Sequence, residues 1–369
     1  KTAGAVEAAA STGGQIMPPI MGAGAFIMAE ITGIPYTEIA MAAVIPAILY
    51  FVSVYFMVDF EAAKTGMRGM RKDELPQIGK LIRQVYLFIP IVILIFALFM
   101  GYSVIRAGTL ATISAAVVSW LSPNKMGIRG ILKALELAGI MAIQIIVVCA
   151  CAGVIVGVIS LTGVGSRFSS LLLGVADASQ FLALFFAMLI SIMLGMGMPT
   201  TAAYAVAASV VAPGLIQLGI DPLTAHFFVF YFAVVSAITP PVALASFAAA
   251  GISGANPMET SMESFKIGLA AFIVPFMFFY NGALLMNDTW PAIAQAPVTA
   301  TVGVYLLSAA VQGWFANNLA SWLVRGILVA SALLMIEGGL ITDILGVAAA
   351  VLAFALQKKR AKTAAISPL

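Results

Sequence analysis

Ser11-Thr12-Gly13-Gly14-Gln15-Ile16-Met17-Pro18-Pro19-Ile20-Met21-Gly22 sits in the middle of an uncharged apolar run, and Ser236-Ala237-Ile238-Thr239-Pro240-Pro241-Val242-Ala243 repeats the device far downstream. In each copy a further proline, Pro35 or Pro257, follows 17 residues after the first of the pair, just past a small-residue turn at Thr32-Gly33 or Ser253-Gly254. Proline has no N–H to donate and its ring clashes with the preceding turn, so a helix unwinds at each pair. Unwound backbone at membrane depth survives only where it is buried in protein or lines a cavity. Two interrupted spans in matching positions of two repeats point to the solute and ion site of a secondary transporter.

Composition agrees. Of 369 residues, 62% are hydrophobic and 9% charged, with mean hydropathy +1.10. A soluble surface needs roughly a quarter to a third of its residues charged, so the chain reads as an all-α polytopic membrane protein in contact with the lipid bilayer. No nucleic-acid signature is present, and the net charge of +3 carries little meaning apart from its placement. Cys149 and Cys151 lie two apart in an apolar run and face apart on a helix, which reads as packing and not as a disulfide. The chain opens at Lys1 with neither an initiator Met nor a signal-peptide pattern, and reads as a fragment of a longer protein.

Apolar runs predict membrane segments at 5–31, 37–58, 85–103, 107–121, 134–161, 181–217, 223–252, 265–287, 297–315, 321–337 and 341–357. The loops between them alternate in charge. Loop 59–84 carries Lys64, Arg68, Arg71, Lys72, Lys80 and Arg83; loop 122–133 carries Lys125, Arg129 and Lys133; the tail carries Lys358, Lys359, Arg360 and Lys362. The intervening loops carry only Arg106 and Arg167 as basic residues. Basic loops stay cytoplasmic, so the tail and loop 59–84 are expected inside. The first interrupted span then runs from inside to outside and the second from outside to inside, which makes an inverted-topology repeat. The organisation expected is 1–58, an incomplete first repeat; 59–84, a cytoplasmic basic loop; 85–161, scaffold helices; 162–287, the second repeat; and 288–369, a C-terminal three-helix extension with its tail.

Within the second repeat, Gly195-Met196-Gly197-Met198-Pro199-Thr200-Thr201 interrupts the run 181–217. This is a turn signal, and it predicts a re-entrant hairpin whose tip offers carbonyls, hydroxyls and helix N-termini. Oxygens suit a hard cation such as Na⁺, and helix N-termini suit a carboxylate. Symmetry calls for a matching hairpin before the first interrupted span, upstream of Lys1.

At Ala8–Phe26, Leu194–Tyr204, Gly219–Phe228 and Ala237–Ala243 the chain resembles the large membrane subunit of TRAP (tripartite ATP-independent periplasmic) transporters, and more narrowly the fused TAXI-type permeases. The resemblance covers about residues 1–287. It implies an elevator mechanism, in which hairpins and broken helices slide against a scaffold. It also implies secondary transport of an organic carboxylate driven by an ion gradient, usually Na⁺, in a bacterial or archaeal cytoplasmic membrane. The partners implied are a periplasmic substrate-binding protein of the TAXI type and a small-subunit region fused upstream of Lys1.

The candidate ion-site residues are Ser236, Thr239 and the carbonyls before Pro240, their first-repeat equivalents Ser11, Thr12, Gly13 and Gly14, and Gly195, Gly197 and Thr200 of the tip. Gln15, Pro18, Pro199, Thr201 and Pro240 are the candidates for solute contact. His226, the sole histidine, could exchange a proton, but reads first as a hydrogen-bonded structural residue; Asp221 reads as the cap of its helix. Arg325 and Glu337 sit near helix ends and read as snorkelling charges. Glu30 and Glu38 flank the turn after the first interrupted span as loop carboxylates. No catalytic residues and no cofactor beyond a coupling ion are expected. A membrane-embedded enzyme needs convergent acids or histidines. No Asp or Glu lies between Asp177 and Asp221, or between Asp221 and Glu259. The competing readings are a stand-alone inverted-repeat elevator for anions or dicarboxylates, working without a periplasmic partner, and a non-transporting assembly subunit.

Overall fold

The computed structural model describes residues 1–71, 79, 82, 84–121, 125–176, 179–336 and 339–366. The apolar runs become helices. α1 (Thr2–Gly13) and α2 (Gly22–Thr32) are the arms of the first interrupted span, and α3 (Tyr36–Thr65) follows. Then come α4 (Ile89–Phe99), entered through a 3-10 turn at Val85–Phe88, α5 (Val104–Ser119), α6 (Ile128–Thr162), α7 (Val164–Ala176), α8 (Gln180–Gly195) and α9 (Thr200–Gln217). The second interrupted span is α10 (Pro222–Val235), a 3-10 turn at Ser236–Ile238 and α11 (Leu244–Ser253), with α12 (Pro257–Gly268) and α13 (Val274–Tyr280) beyond it. The chain continues through α14 (Trp290–Gln312), a small antiparallel hairpin of β1 (Trp314–Phe315) and β2 (Asn318–Leu319), α15 (Trp322–Ile336) and α16 (Leu340–Ile366).

Local chemistry sets the boundaries. Gly33 and Gly254 close α2 and α11 in the left-handed region (φ 70° and 68°), where glycine carries no Cβ penalty. Asp221 Oδ2 accepts the Thr224 N–H at 3.1 Å, and Asn256 Oδ1 accepts the Met258 N–H at 2.9 Å, so both post-turn helices are capped. Two differences from the sequence expectation stand out. The stretch 162–180, expected as a connection, contains α7, bent by 68° from the end of α6 at Gly163 (φ 69°). The single span expected at 265–287 lies across two helical pieces, Pro257–Gly268 and Ala271–Tyr280, bent by 56°. Among the described residues four helices are long and apolar enough to cross a bilayer alone, or six spans if each bent pair counts as one. One of the four is α9, so that hairpin arm is longer than the sequence reading allowed.

The two interrupted spans pack reciprocally. The first arm of one, α1, lies on α11, the second arm of the other; α10 likewise meets α2. Glycines make both crossings close. A Cβ on Gly24 would fall 2.5 Å from Phe230 Cε2, and one on Gly4 would fall 3.0 Å from Ser253 Oγ and 3.3 Å from the Ala249 carbonyl. Between them α10 buries Phe227, Phe228, Phe230, Tyr231 and Phe232 completely. A helix apolar on every side belongs in a core.

Polar groups mark the two ends of the molecule. At one end Lys266 Nζ meets Glu61 Oε2 at 3.4 Å, and Lys64 Nζ donates to the Gln312 carbonyl at 3.2 Å. At the other, Glu38, Asp221, Thr224 and Asn287 line a cavity of about 400 Å³. The C-terminal helices dock on α3 through α14, where Gln312 Nε2 donates to the Met57 carbonyl at 3.0 Å. Arg325 is held by the backbone of α14. Its Nε donates to the Ala310 carbonyl at 2.6 Å and its Nη2 to the Val311 carbonyl at 3.2 Å, with the guanidinium over the Trp322 ring. The last carbonyls of α14 lack helical donors, and a guanidinium supplies them. Glu337 lies outside the described residues. Cys149 and Cys151 are free thiols.

Candidate functional site at the helix breaks

Each proline pair strips donors from one particular carbonyl. A helical carbonyl accepts from residue i+4, or from i+3 in a 3-10 turn. Gln15 and Ala237 have proline at both positions, so neither carbonyl finds a partner in its own helix. The chain tightens as it approaches each pair. Gly14, Gln15 and Ile16 N–H donate three residues back, to the carbonyls of Ser11, Thr12 and Gly13 (3.1, 3.2 and 3.0 Å), and Thr239 N–H donates to the Ser236 carbonyl (3.1 Å). Both Pro–Pro peptide bonds are cis.

The second break is enclosed on its hydroxyl side. Ser236 and Thr239 are buried; Ser236 Oγ donates to the Ala233 carbonyl at 2.7 Å and Thr239 Oγ1 to the Val235 carbonyl at 2.8 Å. Each hydroxyl oxygen keeps its acceptor lone pairs. The hairpin tip closes over Ser236, and a Cβ on Gly195 would lie 2.5 Å from Ser236 Oγ and 3.4 Å from Ala233 Cα. Gly197, at φ 76°, turns the tip toward Val242, and Pro199 precedes α9 in extended geometry. Thr200 is half-buried in the first turn of α9.

The first break is held by tyrosines of α3. Tyr50 Oη donates to the Ala9 carbonyl at 2.8 Å, and its ring occupies the space beside Gly13, where a Cβ would fall 2.5 Å from Cε1. Tyr36 Oη donates to the Pro19 carbonyl. Tyr50 in turn meets Tyr231 of α10, ring centroids 6.0 Å apart. Buried hydroxyls here go unpaired: Thr12 Oγ1, Tyr231 Oη and Ser246 Oγ have no hydrogen-bond partner. Buried polar groups are normally satisfied, so these oxygens on α1, α10 and α11 keep unused acceptor capacity.

Because α1 packs against Ser236–Ile238, the fold gathers Thr12, Gly13, Gly195, Gly197, Ser236 and Thr239 around the breaks. The other sequence candidates are less enclosed or face away. Ser11 is exposed and its Oγ donates to Glu7 Oε1 at 2.7 Å; Gly14 is exposed. Gln15, Pro18 and Pro240 are half-buried, and Pro199 is exposed. Thr201 lines a separate apolar cavity of about 650 Å³ with Ile27, Cys149, Ala205 and His226. His226 Nδ1 lies 2.8 Å from Tyr204 Oη, which ties α10 to α9. The sequence reading missed Tyr36, Tyr50 and Tyr231. The first two could have been found, since they stand 14 residues apart on one face of a helix.

Among the described residues no cluster of three or more His, Cys, Asp or Glu could hold a metal. The chemistry of the breaks is therefore that of carbonyl and hydroxyl oxygens together with helix termini. Comparison with curated protein sequences yields no match. The family profile of the DctM component of the tripartite ATP-independent periplasmic transporters matches residues 1–293. Such components serve with a periplasmic substrate-binding protein and a small membrane subunit, and they are not enzymes. With interrupted apolar helices running through the matched region, the chain belongs to the DctM family: it is a multi-pass membrane permease component of a tripartite transporter.

Proposed function

We propose that this permease imports an organic carboxylate, coupled to a Na⁺ or H⁺ gradient, by an elevator movement of the hairpin and the two interrupted spans against the remaining helices. The observation that carries the reading is the seating of Ser236–Ile238 between the Gly195 tip and α1. A cation entering there would meet the Gln15 and Ala237 carbonyls, which have no helical donor, and the Thr12, Ser236 and Thr239 hydroxyls. The N-termini of α2, α9 and α11 follow the breaks and the tip, and a carboxylate is favoured at such ends. Reciprocal packing of α1 on α11 and α10 on α2 supports a two-fold relation between the spans, because such a rotation exchanges the two contacts, and the alternation of basic loops favours its inverted sense. The basic loop after α3 and the basic tail support a cytoplasmic location for both.

Reconstitution tests this directly. Full-length protein in proteoliposomes, supplied with its substrate-binding protein, takes up an organic acid only while a Na⁺ or H⁺ gradient stands. Uptake that persists after both gradients are collapsed overturns ion coupling. Equal uptake without the binding protein indicates a stand-alone elevator.

A further inference from the structure

Consecutive helices α6 and α7 both lie on α9, but not equally closely. α7 crosses at glycines: a Cβ on Gly165 would fall 3.3 Å from the Ser209 carbonyl, and one on Gly214 would fall 2.9 Å from Leu172 Cδ1. α6 touches α9 along a narrow seam, where Ala152 clusters with Ala202 and Val206. Beside the seam it stands off, for a Cβ on Gly153 or Gly157 would meet nothing within 4 Å. The gap is the apolar cavity of about 650 Å³, bounded also by Ile27 and Ile31 of α2 and by His226. It follows α9 from Thr201 in the first turn to Gln217 at the end, a length of about 24 Å at 1.5 Å per residue. Its edge is open, since the lining residues Ile31 and Ile216 are 52% and 36% exposed.

The lining changes along that length. Near Thr201 it is Cys149, Ala152, Ala202 and Ala205. Toward Gln217 the gap adjoins a second cavity of about 330 Å³, which shares Val156, Ser209, Pro213 and Gln217 and adds Ser160, Ser166 and Ser169. Arg167 is the one basic residue between Lys133 and Lys266, and it stands in the first turn of α7. The helix dipole there disfavours a cation and favours an anion. His226 is 6% exposed; Tyr204 takes its Nδ1, and its Nε2 has no hydrogen-bond partner among the described residues. Apolar cavities stay dry, so an open one in a membrane protein fills with hydrocarbon. We propose that the gap between α6 and α9 binds a phospholipid. One acyl chain lies along α9 toward Thr201, the glycerol–phosphate end meets Gln217, the serines and Arg167, and His226 Nε2 donates to an ester oxygen. A polar solute would leave the alanine-lined half unmatched, and a bare hydrocarbon would leave His226 unpaired. The site is separate from the helix breaks and stands whichever solute and ion the permease carries.

Photolabelling tests the site. The full-length protein is placed in liposomes of phosphatidylethanolamine and phosphatidylglycerol that contain a trace of phosphatidylethanolamine with a diazirine at the end of one acyl chain. Irradiation labels residues 201–205. Gly153→Phe, whose ring occupies the gap, lowers that label by about tenfold, which the loss of two buried methylenes accounts for. Gly139→Phe, on α6 but outside the cavity and equally free of neighbours, leaves it unchanged. A probe with the diazirine beside the glycerol labels residues 160–169 instead, and Gly153→Phe lowers that label too. No label at 201–205 in the wild type, or a label there that survives Gly153→Phe, overturns the proposal. So does a glycerol-side probe that marks 201–205 as strongly as the chain-end probe, because the bound chain then has no fixed direction. If Gly153→Phe does not fold, Cys149→Trp takes its place: a diminished label supports the site, and an undiminished one overturns it.

Discussion

With Pro18 aligned on Pro240, the two interrupted spans share their proline pair, the proline 17 residues on and a glycine that closes the second arm, yet their surroundings differ residue by residue. Where the second break has Thr239, the first has Met17. Where the first is held by Tyr36 and Tyr50, the corresponding residues after the second are Met258 and Phe272, which have no hydroxyl. Two tyrosines thus pin the first break to α3. The second break presents its own hydroxyls, enclosed by the hairpin tip. The prolines create bare carbonyls in both copies; neighbouring side chains decide whether the break is anchored from α3 or covered by the hairpin tip.

The sharpest way to break this comparison is to force the tip away from the second break. Gly195→Val puts a branched side chain where only 2.5 Å separates a Cβ from Ser236 Oγ. Overpacking of this kind costs about 1–3 kcal/mol, so uptake in proteoliposomes should fall by about tenfold or more. Gly24→Val, against Phe230, should lower thermal stability by a comparable energy. Normal uptake by Gly195→Val would show that the tip does not belong to the site.

Thr239→Val asks whether the hydroxyl matters beyond shape. If the Thr239 hydroxyl is an ion ligand, its loss should lower uptake about tenfold and weaken its cation dependence, equivalent to about 1–2 kcal/mol. Thr12→Val is the matching change at the first break. It removes a buried hydroxyl with no partner and, if no ion uses that oxygen, should raise stability by about 1 kcal/mol. Equal losses of uptake in both variants would mean that the two breaks supply the ion equally, and the contrast between them would fail.

A third change weakens only the anchor. Tyr50→Phe deletes the bond to the Ala9 carbonyl and leaves the ring beside Gly13 in place. A typical buried hydrogen bond is worth about 1 kcal/mol net. Amide hydrogen exchange in α1 should therefore quicken roughly fivefold, with uptake little altered. Unchanged exchange would remove Tyr50 as the anchor.

Much of this architecture is legible in the sequence because proline and glycine act locally. Pro18-Pro19, Pro240-Pro241 and Gly195–Thr201 announce their breaks without any tertiary information, and Asp221-Pro222 announces a capped helix start. The bends are less legible. Gly163 lies in a short polar stretch that reads as a loop, and whether a helix resumes after it depends on packing against α9. The site is legible by type and not by direction. Ser11 and Thr12 are neighbours of similar chemistry, but one faces Glu7 at the surface and the other is buried among α10–α12. Which of them turns inward is set by helices more than 200 residues away in the chain, a relation that no local pattern encodes.

The smallest effect expected concerns the link between the hairpin and the second span, the bond between Tyr204 Oη and His226 Nδ1. If His226 is a strut, Tyr204→Phe and His226→Gln each destabilise the fold, and a double-mutant cycle returns a coupling of about 0.5–1.5 kcal/mol. The pH profile of uptake then stays as in the wild type, because no titrating group of the transport step has been touched. If His226 instead carries the coupling proton, His226→Gln reshapes that profile while Tyr204→Phe leaves most of it standing. The strut reading has geometry on its side. The histidine shares the wall of an apolar cavity with Thr201, while the bare carbonyls of Gln15 and Ala237 belong to the breaks. A ring held at 2.8 Å by a phenol on the neighbouring helix keeps the arms in register whatever the driving ion is.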